Sequence, residues 1–216
     1  MKMKMMIMGP QGSGKGTYAS RLSVILKIPH ISTGQIFRDN IAAGTPLGKQ
    51  VDDYIKAGKL VPDEITMSVV KDRISKPDCA NGFIFDGFPR SEKQAEMFDD
   101  MSGLDVVIYL DVPEWLLLKR LSSRVTCSGC GKIYNLLNIK PKKEGVCDEC
   151  QDDLIVRDDE TPEAIKMRLQ QYEENTKPLI DYYKEKGILK SVTCDKLETP
   201  PEEMVEEILK IIGVKK

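Results

Sequence analysis

Apolar and polar positions along the chain follow two alternating rhythms. Short apolar runs stand at Met3 to Met8, Phe83 to Phe85 (ending on Asp86), Val106 to Val112 and, more weakly, Ile188 to Cys194. Runs this short, without alternating polar positions, predict strands buried on both faces. Between them lie stretches with helical spacing. One runs from about Gly14 to Lys27, with Leu22, Ile25 and Leu26 apolar and Pro29 closing it. Another begins at Thr199-Pro200-Pro201-Glu202, which reads as an N-cap followed by early acids. It presents Met204, Val205, Ile208, Leu209 and Ile212 on one face and ends at Gly213. Strands separated by helices predict an α/β fold, a parallel sheet covered by helices.

Two segments break this rhythm. From Ile31 to Val61 no convincing strand is visible, only short helical stretches punctuated by Gly34, Gly44, Pro46, Gly48 and Gly58. From Ser123 to Glu160 the apolar density falls. Both read as insertions into the α/β core, and no internal repeat is apparent.

Composition narrows the class. The 216 residues carry 32 Lys and Arg against 34 Asp and Glu, a net charge of −2. A generic nucleic-acid or acidic-membrane binder shows a basic excess instead. No apolar run approaches the roughly 20 residues of a membrane span. The opening MKMKMMIMGP imitates a leader, but its apolar part is only Met5 to Met8 and no small-residue cleavage site follows. A cytoplasmic location is expected.

Six cysteines then need a reason. Cys79 and Cys194 stand alone and read as buried thiols. The other four form Cys127-x-x-Cys130, sixteen intervening residues, and Cys147-x-x-Cys150. In a reducing compartment that spacing predicts a four-thiolate zinc site. Four protein ligands leave no open position, so such a metal is structural. The single histidine, His30, lies outside this segment and reads as a packed or surface residue.

The strongest chemical signal is Gly9-Pro-Gln-Gly12-Ser13-Gly14-Lys15-Gly16-Thr17, placed between a strand and a helix. Glycines let backbone N–H groups turn inward around phosphate oxygens, the helix N-terminus adds its dipole, and lysine adds a mobile charge. A nucleoside triphosphate site follows. Asp86 ends an interior strand, where an acid can reach the nucleotide's magnesium directly or through water. Arg38, Arg90, Arg124, Arg157 and Arg168 are scattered, and each alone reads as a surface charge. Their neighbours distinguish them. Arg90 ends Asp86-Gly87-Phe88-Pro89-Arg90, Arg38 follows Ser32-Thr33-Gly34, and Arg157 and Arg168 flank the cap Thr161.

Taken in order from Met5 to about Tyr183, these motifs, with Gly58-Lys59-Leu60-Val61-Pro62-Asp63-Glu64 and Gln94, resemble the adenylate kinases of the long-lid, zinc-containing type. The resemblance implies a P-loop NTPase-type CORE (1–31, 62–122 and 161–216), an inserted helical NMP-binding lobe (32–61) and an inserted zinc-binding LID (123–160). It implies the reaction MgATP + AMP ⇌ 2 ADP. Gly12, Ser13, Gly14, Lys15, Gly16 and Thr17, with Arg124, Ile133 and Tyr134 of the lid, are then expected around ATP. Thr33, Arg38, Lys59, Leu60, Val61, Gly87, Phe88, Pro89, Arg90 and Gln94 are expected around AMP. Arg157 and Arg168 are expected to face the transferring phosphate, and Lys15, Asp86, Arg90 and Arg124 join them as the catalytic set. A late backbone contact to adenine is expected between Cys194 and Pro200. The expected partners are ATP, AMP and ADP, with no nucleic acid, no membrane and a monomeric chain. The sequence departs from the family pattern at Gln11, where proline is usual, at Gln35, where aspartate is common, and at Val125, where a second arginine is usual.

One competing reading is a zinc-ribbon nucleic-acid binder driven by ATP. Residues 123–160, however, hold six Lys and Arg against eight Asp and Glu, and four thiolates on one zinc ion add further negative charge. Such a surface repels phosphate backbones, and Tyr134 alone offers a stacking face. Within the kinases, a UMP/CMP acceptor or a GTP donor is the nearer alternative.

Overall fold

The structure is a computed structural model and describes residues 2–157, 160–197 and 199–214. Five parallel strands form the main sheet: β1 (Met3–Met8), β2 (His30–Ser32), β3 (Gly82–Asp86), β4 (Val106–Asp111) and a last strand (Leu189–Thr193). They lie in the order β2-β3-β1-β4-last. The apolar runs are continuous because successive residues serve opposite faces. Met3, Met5 and Ile7 of β1 pack into one core, whereas Met6 and Met8 pack into the other.

The helices cover both faces. On one side α1 (Lys15–Leu26) contributes Tyr18, Ala19 and Leu22. It is joined there by the C-terminal helix (Pro201–Ile211), whose Met204, Val205, Ile208 and Leu209 are buried as its spacing predicts. On the other side Phe83, Phe85 and Phe88 meet Phe98 in edge-on and tilted ring contacts. Cys79 and Cys194 are buried free thiols.

Between β2 and β3 stand α2 (Thr33–Ala42), α3 (Pro46–Lys56) and α4 (Asp63–Ile74). A small separate core of Phe37, Val51 and Val61 holds them together. Ser32 and Thr45 cap α2 and α3 through their side-chain oxygens. After β3 come α5 (Glu92–Met101), β4 and α6 (Glu114–Ser122). Next, β5 (Arg124–Cys127), β6 (Ile133–Asn135) and β7 (Leu154–Ile155) form an antiparallel sheet in the order β6-β5-β7. The chain returns through α7 (Pro162–Gln171), capped by Thr161, then a π-helical turn (Tyr172–Thr176) and α8 (Leu179–Glu185) before the last strand, now β8, and α9, the C-terminal helix.

Three local expectations are corrected. His30–Ser32 is a strand although no strand signal is visible from Ile31 onward; three residues are too few to show a period, and pairing with β3 fixes them. Thr199 is not the cap of α9: Pro200 takes that place, its side chain carries no acceptor, and its carbonyl instead accepts from Glu203 N. Ile25, read as part of the apolar face of α1, is 39% exposed, and Leu22 carries the buried contact.

Candidate active site

Strand register brings the chemistry to one edge. Ile7 and Ser32 both pair with Asp86, so the carboxyl ends of β1, β2 and β3 stand level. The loop after β1, the start of α2 and the turn after β3 therefore open into one crevice, where open α/β sheets bind ligands. A cleft of about 830 Å³ lies there. It is lined by Gly12, Lys15 and Thr17, and by eight arginines, among them Arg38, Arg90, Arg120, Arg124, Arg157 and Arg168.

The loop from Gly9 wraps around its own lysine. Lys15 Nζ donates to the carbonyls of Gly9 (2.8 Å) and Pro10 (2.9 Å). Burial lowers this ammonium to about 8; Asp86 opposes the shift, and Arg90, Arg124 and Arg168 add to it. Gly14, at φ +100°, starts α1 in a conformation that a side chain would strain. Gly16 faces Asp86: a Cβ there would sit 3.2 Å from Asp86 Oδ2 and 3.4 Å from Ile133 Cδ1.

Asp86 also meets His30 Nε2 at 3.4 Å. Burial pushes its carboxyl up, but His30 first, then Lys15 and Arg90, outweigh that and hold it below the ordinary carboxylate range. An ionised oxygen beside bare glycine backbone and a phosphate-type loop suits a hydrated divalent cation.

Arg124, Arg157 and Arg168 converge from β5, the segment after β7 and α7. Glu160 pairs with both Arg124 and Arg157, the latter at 2.6 Å. Assigned by its two donor partners, the Gln11 amide places its oxygen toward Arg124 Nη2 (3.2 Å) and Arg168 Nη1 (3.1 Å). Burial first, then Arg157, pulls the Arg124 guanidinium below its ordinary value, with Glu160 opposing. Two acceptors of the protein itself thus occupy the donors of a cation cluster shaped for phosphate.

The turn after β3 is held from several directions. Thr33 Oγ1 and Arg90 Nε both donate to the Gly87 carbonyl, each at 2.8 Å. Arg90 N donates to Gln94 Oε1 at 2.8 Å, and Thr176 of the π-helical turn donates to the Arg90 carbonyl at 2.9 Å. The Phe88–Pro89 bond is cis. A narrow pocket beside this turn is lined by Thr33, Lys59, Leu60, Val61, Gly87 and Gln94, with Arg90 between it and the main cleft. Arg38 donates to Gln35 Oε1 at 2.8 Å, so the amide that replaces the expected aspartate is engaged within α2.

Several expected residues present backbone rather than side chain. Phe88 is fully buried among aromatic rings and Ser13 is fully buried, while Tyr134 lines the cleft beside Ile133 although its side chain is almost wholly buried. The Tyr134 hydroxyl accepts from Asp148 N (2.8 Å) and lies 3.5 Å from Cys147 Sγ, supporting the cysteine cluster. In the stretch expected to touch adenine, Thr199 lines the cleft, whereas Glu198 lies outside the described residues. Asp158 and Asp159, counted above among the acids of residues 123–160, lie outside them too.

The four cysteines meet. Their sulfurs all lie within 4.8 Å of one another, with Cys127 and Cys150 at 3.3 Å and Cys130 and Cys147 at 3.6 Å. Backbone N–H groups of Cys130 and Glu149 point at Cys127 and Cys147 Sγ, each at 3.4 Å. A tetrahedral ion with metal–sulfur bonds of about 2.3 Å spaces its sulfurs by a little under 4 Å, so the donor set fits.

Sequence reasoning passed over Arg120, and read His30 only as a packed or surface residue and Gln11 only as a departure from the family pattern. Arg120 is 8% exposed and donates to the Ser13 carbonyl (3.2 Å) and to Cys194 Sγ (3.1 Å). Its signal was available: Leu116, Leu117, Arg120 and Leu121 form the buried face of α6, so a charge breaks an apolar stripe. Gln11 and His30 carried no such signal, because each reaches its partner only through the fold.

Comparisons with known proteins agree with this geometry. Residues 7–188 match the family model described as adenylate kinase. A protein named adenylate kinase from Thermosipho africanus is 47% identical over 215 residues, covering 97% of this chain and 99% of that one. One from Kosmotoga olearia is 46% identical over 213 residues (96% and 98%), and one from Clostridium tetani 45% over 216 (98% and 99%).

Proposed function

Because this chain belongs to the adenylate kinase family, which transfers a phosphoryl group reversibly between ATP and AMP to give ADP, we propose that its cleft performs that reaction with the residues assigned below. The carrying observation is that Lys15, Arg38, Arg90, Arg124, Arg157 and Arg168, from separate segments, line one cleft beside Asp86. Bringing two anionic nucleotides together needs positioning and charge neutralisation; no covalent intermediate or strong base is required.

Gly12 to Thr17 hold the ATP phosphates, with Lys15 leaving its loop carbonyls for a phosphate oxygen. Asp86 holds magnesium through its ionised carboxylate, and when bound that ion neutralises charge on the phosphates of ATP. Thr33, Arg38, the Lys59–Val61 backbone, the Gly87–Arg90 turn and Gln94 hold AMP. Arg124, Arg157 and Arg168 exchange Gln11 and Glu160 for the oxygens of the moving group. Residues 123–160 act as a lid and 32–61 as the AMP lobe, both closing on a core of 1–31, 62–122 and 161–216 to keep water from the phosphoryl group.

Zinc on Cys127, Cys130, Cys147 and Cys150 organises the lid and leaves no position for substrate. Every residue assigned to both nucleotides comes from one chain, which suits a monomer. Reduced thiolates suit the cytoplasm. No helix among the described residues is long and apolar enough to cross a membrane.

A coupled assay across donors and acceptors, with magnesium present or withheld, tests the reading. ATP with AMP is expected to be fastest, and turnover to vanish without magnesium. UMP or GMP phosphorylated as fast as AMP would defeat the assignment of AMP.

A further inference from the structure

Gln94 is 2% exposed, and both ends of its amide are committed. Its Oε1 accepts from Arg90 N at 2.8 Å, and its Nε2 donates to Asp63 Oδ1 at 2.8 Å. These partners leave one orientation. A backbone N–H can only donate and an ionised carboxylate can only accept, so a turned amide would set donor against donor and acceptor against acceptor. Asp63 is held in place in turn. Ser91 Oγ lies 3.4 Å from the same Oδ1, and Lys93 Nζ lies 3.6 Å from Oδ2.

The amide keeps one free N–H and one free lone pair, and Gln94 lines the narrow pocket beside Arg90. In this orientation it can donate to a ring nitrogen and accept from an exocyclic amine, the pattern of adenine. Hypoxanthine and guanine carry an O6 acceptor and an N1–H donor, the reverse pattern, and would need the turned amide. We propose that Asp63, at the start of α4 and without touching the base, is a specificity-determining positioning residue: it fixes the Gln94 amide in the orientation that reads adenine. This rests on the reading of Gln94 as the residue facing the acceptor base.

The test compares kcat/KM for AMP and IMP in the parent, Asp63→Asn, Gln94→Leu and the double variant. The ratio between acceptors cancels the folded fraction, so partial misfolding leaves it readable. An asparagine keeps the shape but can donate as well as accept, so the turned amide is no longer excluded from that side. Asp63→Asn is expected to lower the AMP/IMP ratio about tenfold, by gaining on IMP as well as losing on AMP. In the Gln94→Leu background it should leave the ratio unchanged. Asp63→Glu, which keeps an anionic acceptor, should retain more of the ratio than Asp63→Asn.

Equal losses on both acceptors in Asp63→Asn, or an effect on the ratio that persists without Gln94, would overturn the role of Asp63. An unchanged ratio in Gln94→Leu would instead overturn the reading of Gln94 on which the proposal stands.

Discussion

Lys15 Nζ lies 2.8 Å from the carbonyl oxygen of Gly9, at the other end of its own loop. The loop therefore already encloses a positive charge before any phosphate arrives, and burial makes that charge unfavourable. The folded-state value near 8 lies below the ordinary lysine value of 10.5. The unfolded chain thus binds more protons between those values, and stability rises with pH across that window. The charge costs the fold up to about 3 kcal/mol below pH 8, less whatever the two carbonyl bonds return. Lys15→Met is expected to lose turnover by about 10³-fold while melting no lower than the parent at pH 7. The parent should gain on the variant between pH 8 and pH 10.5. Urea titrations of both chains across that range check the sign; a variant clearly less stable at pH 7 would show that the carbonyl bonds outweigh burial.

Arg90 has two tasks that substitutions can separate. Its Nε holds the Gly87 carbonyl, a neutral-acceptor bond worth about 1–3 kcal/mol to a charged donor, and its terminal nitrogens face the cleft. Arg90→Ala should lose about 10³-fold in kcat/KM and about 2–12 °C in melting temperature, at about 2–4 °C per kcal/mol. Arg90→Lys, which keeps charge without the planar fork, should melt close to the alanine variant and recover only part of the rate. Stability and activity falling in proportion through both variants would make Arg90 chiefly a scaffold residue.

Gly87→Ala addresses the same turn from the backbone. At φ +80° any side chain is strained, by about 1 kcal/mol. The new Cβ would also stand 2.7 Å from Arg90 Nη2, the movable end of that side chain. The guanidinium gives way, so the expected result is a modest melting shift with a larger rise in KM for AMP than for ATP. Steady-state kinetics with each nucleotide varied in turn would show it. Equal effects on both would place the disturbance outside the acceptor side.

The sheet and the phosphate loop were legible because their signals are local. A run such as Val106 to Val112 states burial on both faces within a few residues, and the glycines around Lys15 state their purpose in nine. The cysteine spacing likewise predicted a cluster whose sulfurs do meet. What stayed hidden depends on long-range pairing. His30–Ser32 is a strand only because β3 lies beside it, and His30 meets Asp86 only through that register. Gln11 looked like a departure from a family pattern; the two guanidinium donors its oxygen faces, Arg124 and Arg168, lie 113 and 157 residues away. Ile133 and Tyr134, expected together from the family resemblance, both line the cleft, but the sequence did not show that the Tyr134 hydroxyl would reach the cysteine cluster.

The cysteine cluster gives the last prediction, because the segment around it cannot hold itself together. Its core among the described residues is Cys127, Tyr134 and Cys147, with Val125 and Leu154 partly buried against them. β7 has two residues and β6 three, far below what an isolated sheet needs. A structural zinc site contributes roughly 10–16 kcal/mol of apparent binding energy, enough to order such a segment. Replacing Cys147 should remove a ligand and also the partner of the Tyr134 hydroxyl, so the damage should fall on the lid and leave the main sheet intact. Cys147→Ser is expected to lose its zinc, lower the melting temperature of the lid, and keep measurable kinase activity at low temperature. Metal analysis and thiol titration of native protein, followed by melting curves with and without a chelator, check each step. Freshly prepared parent without zinc and with six titratable thiols would sink the assignment. Complete inactivity in a Cys147→Ser chain whose lid remains folded would mean that the metal takes part in the chemistry, against the closed four-thiolate site described here.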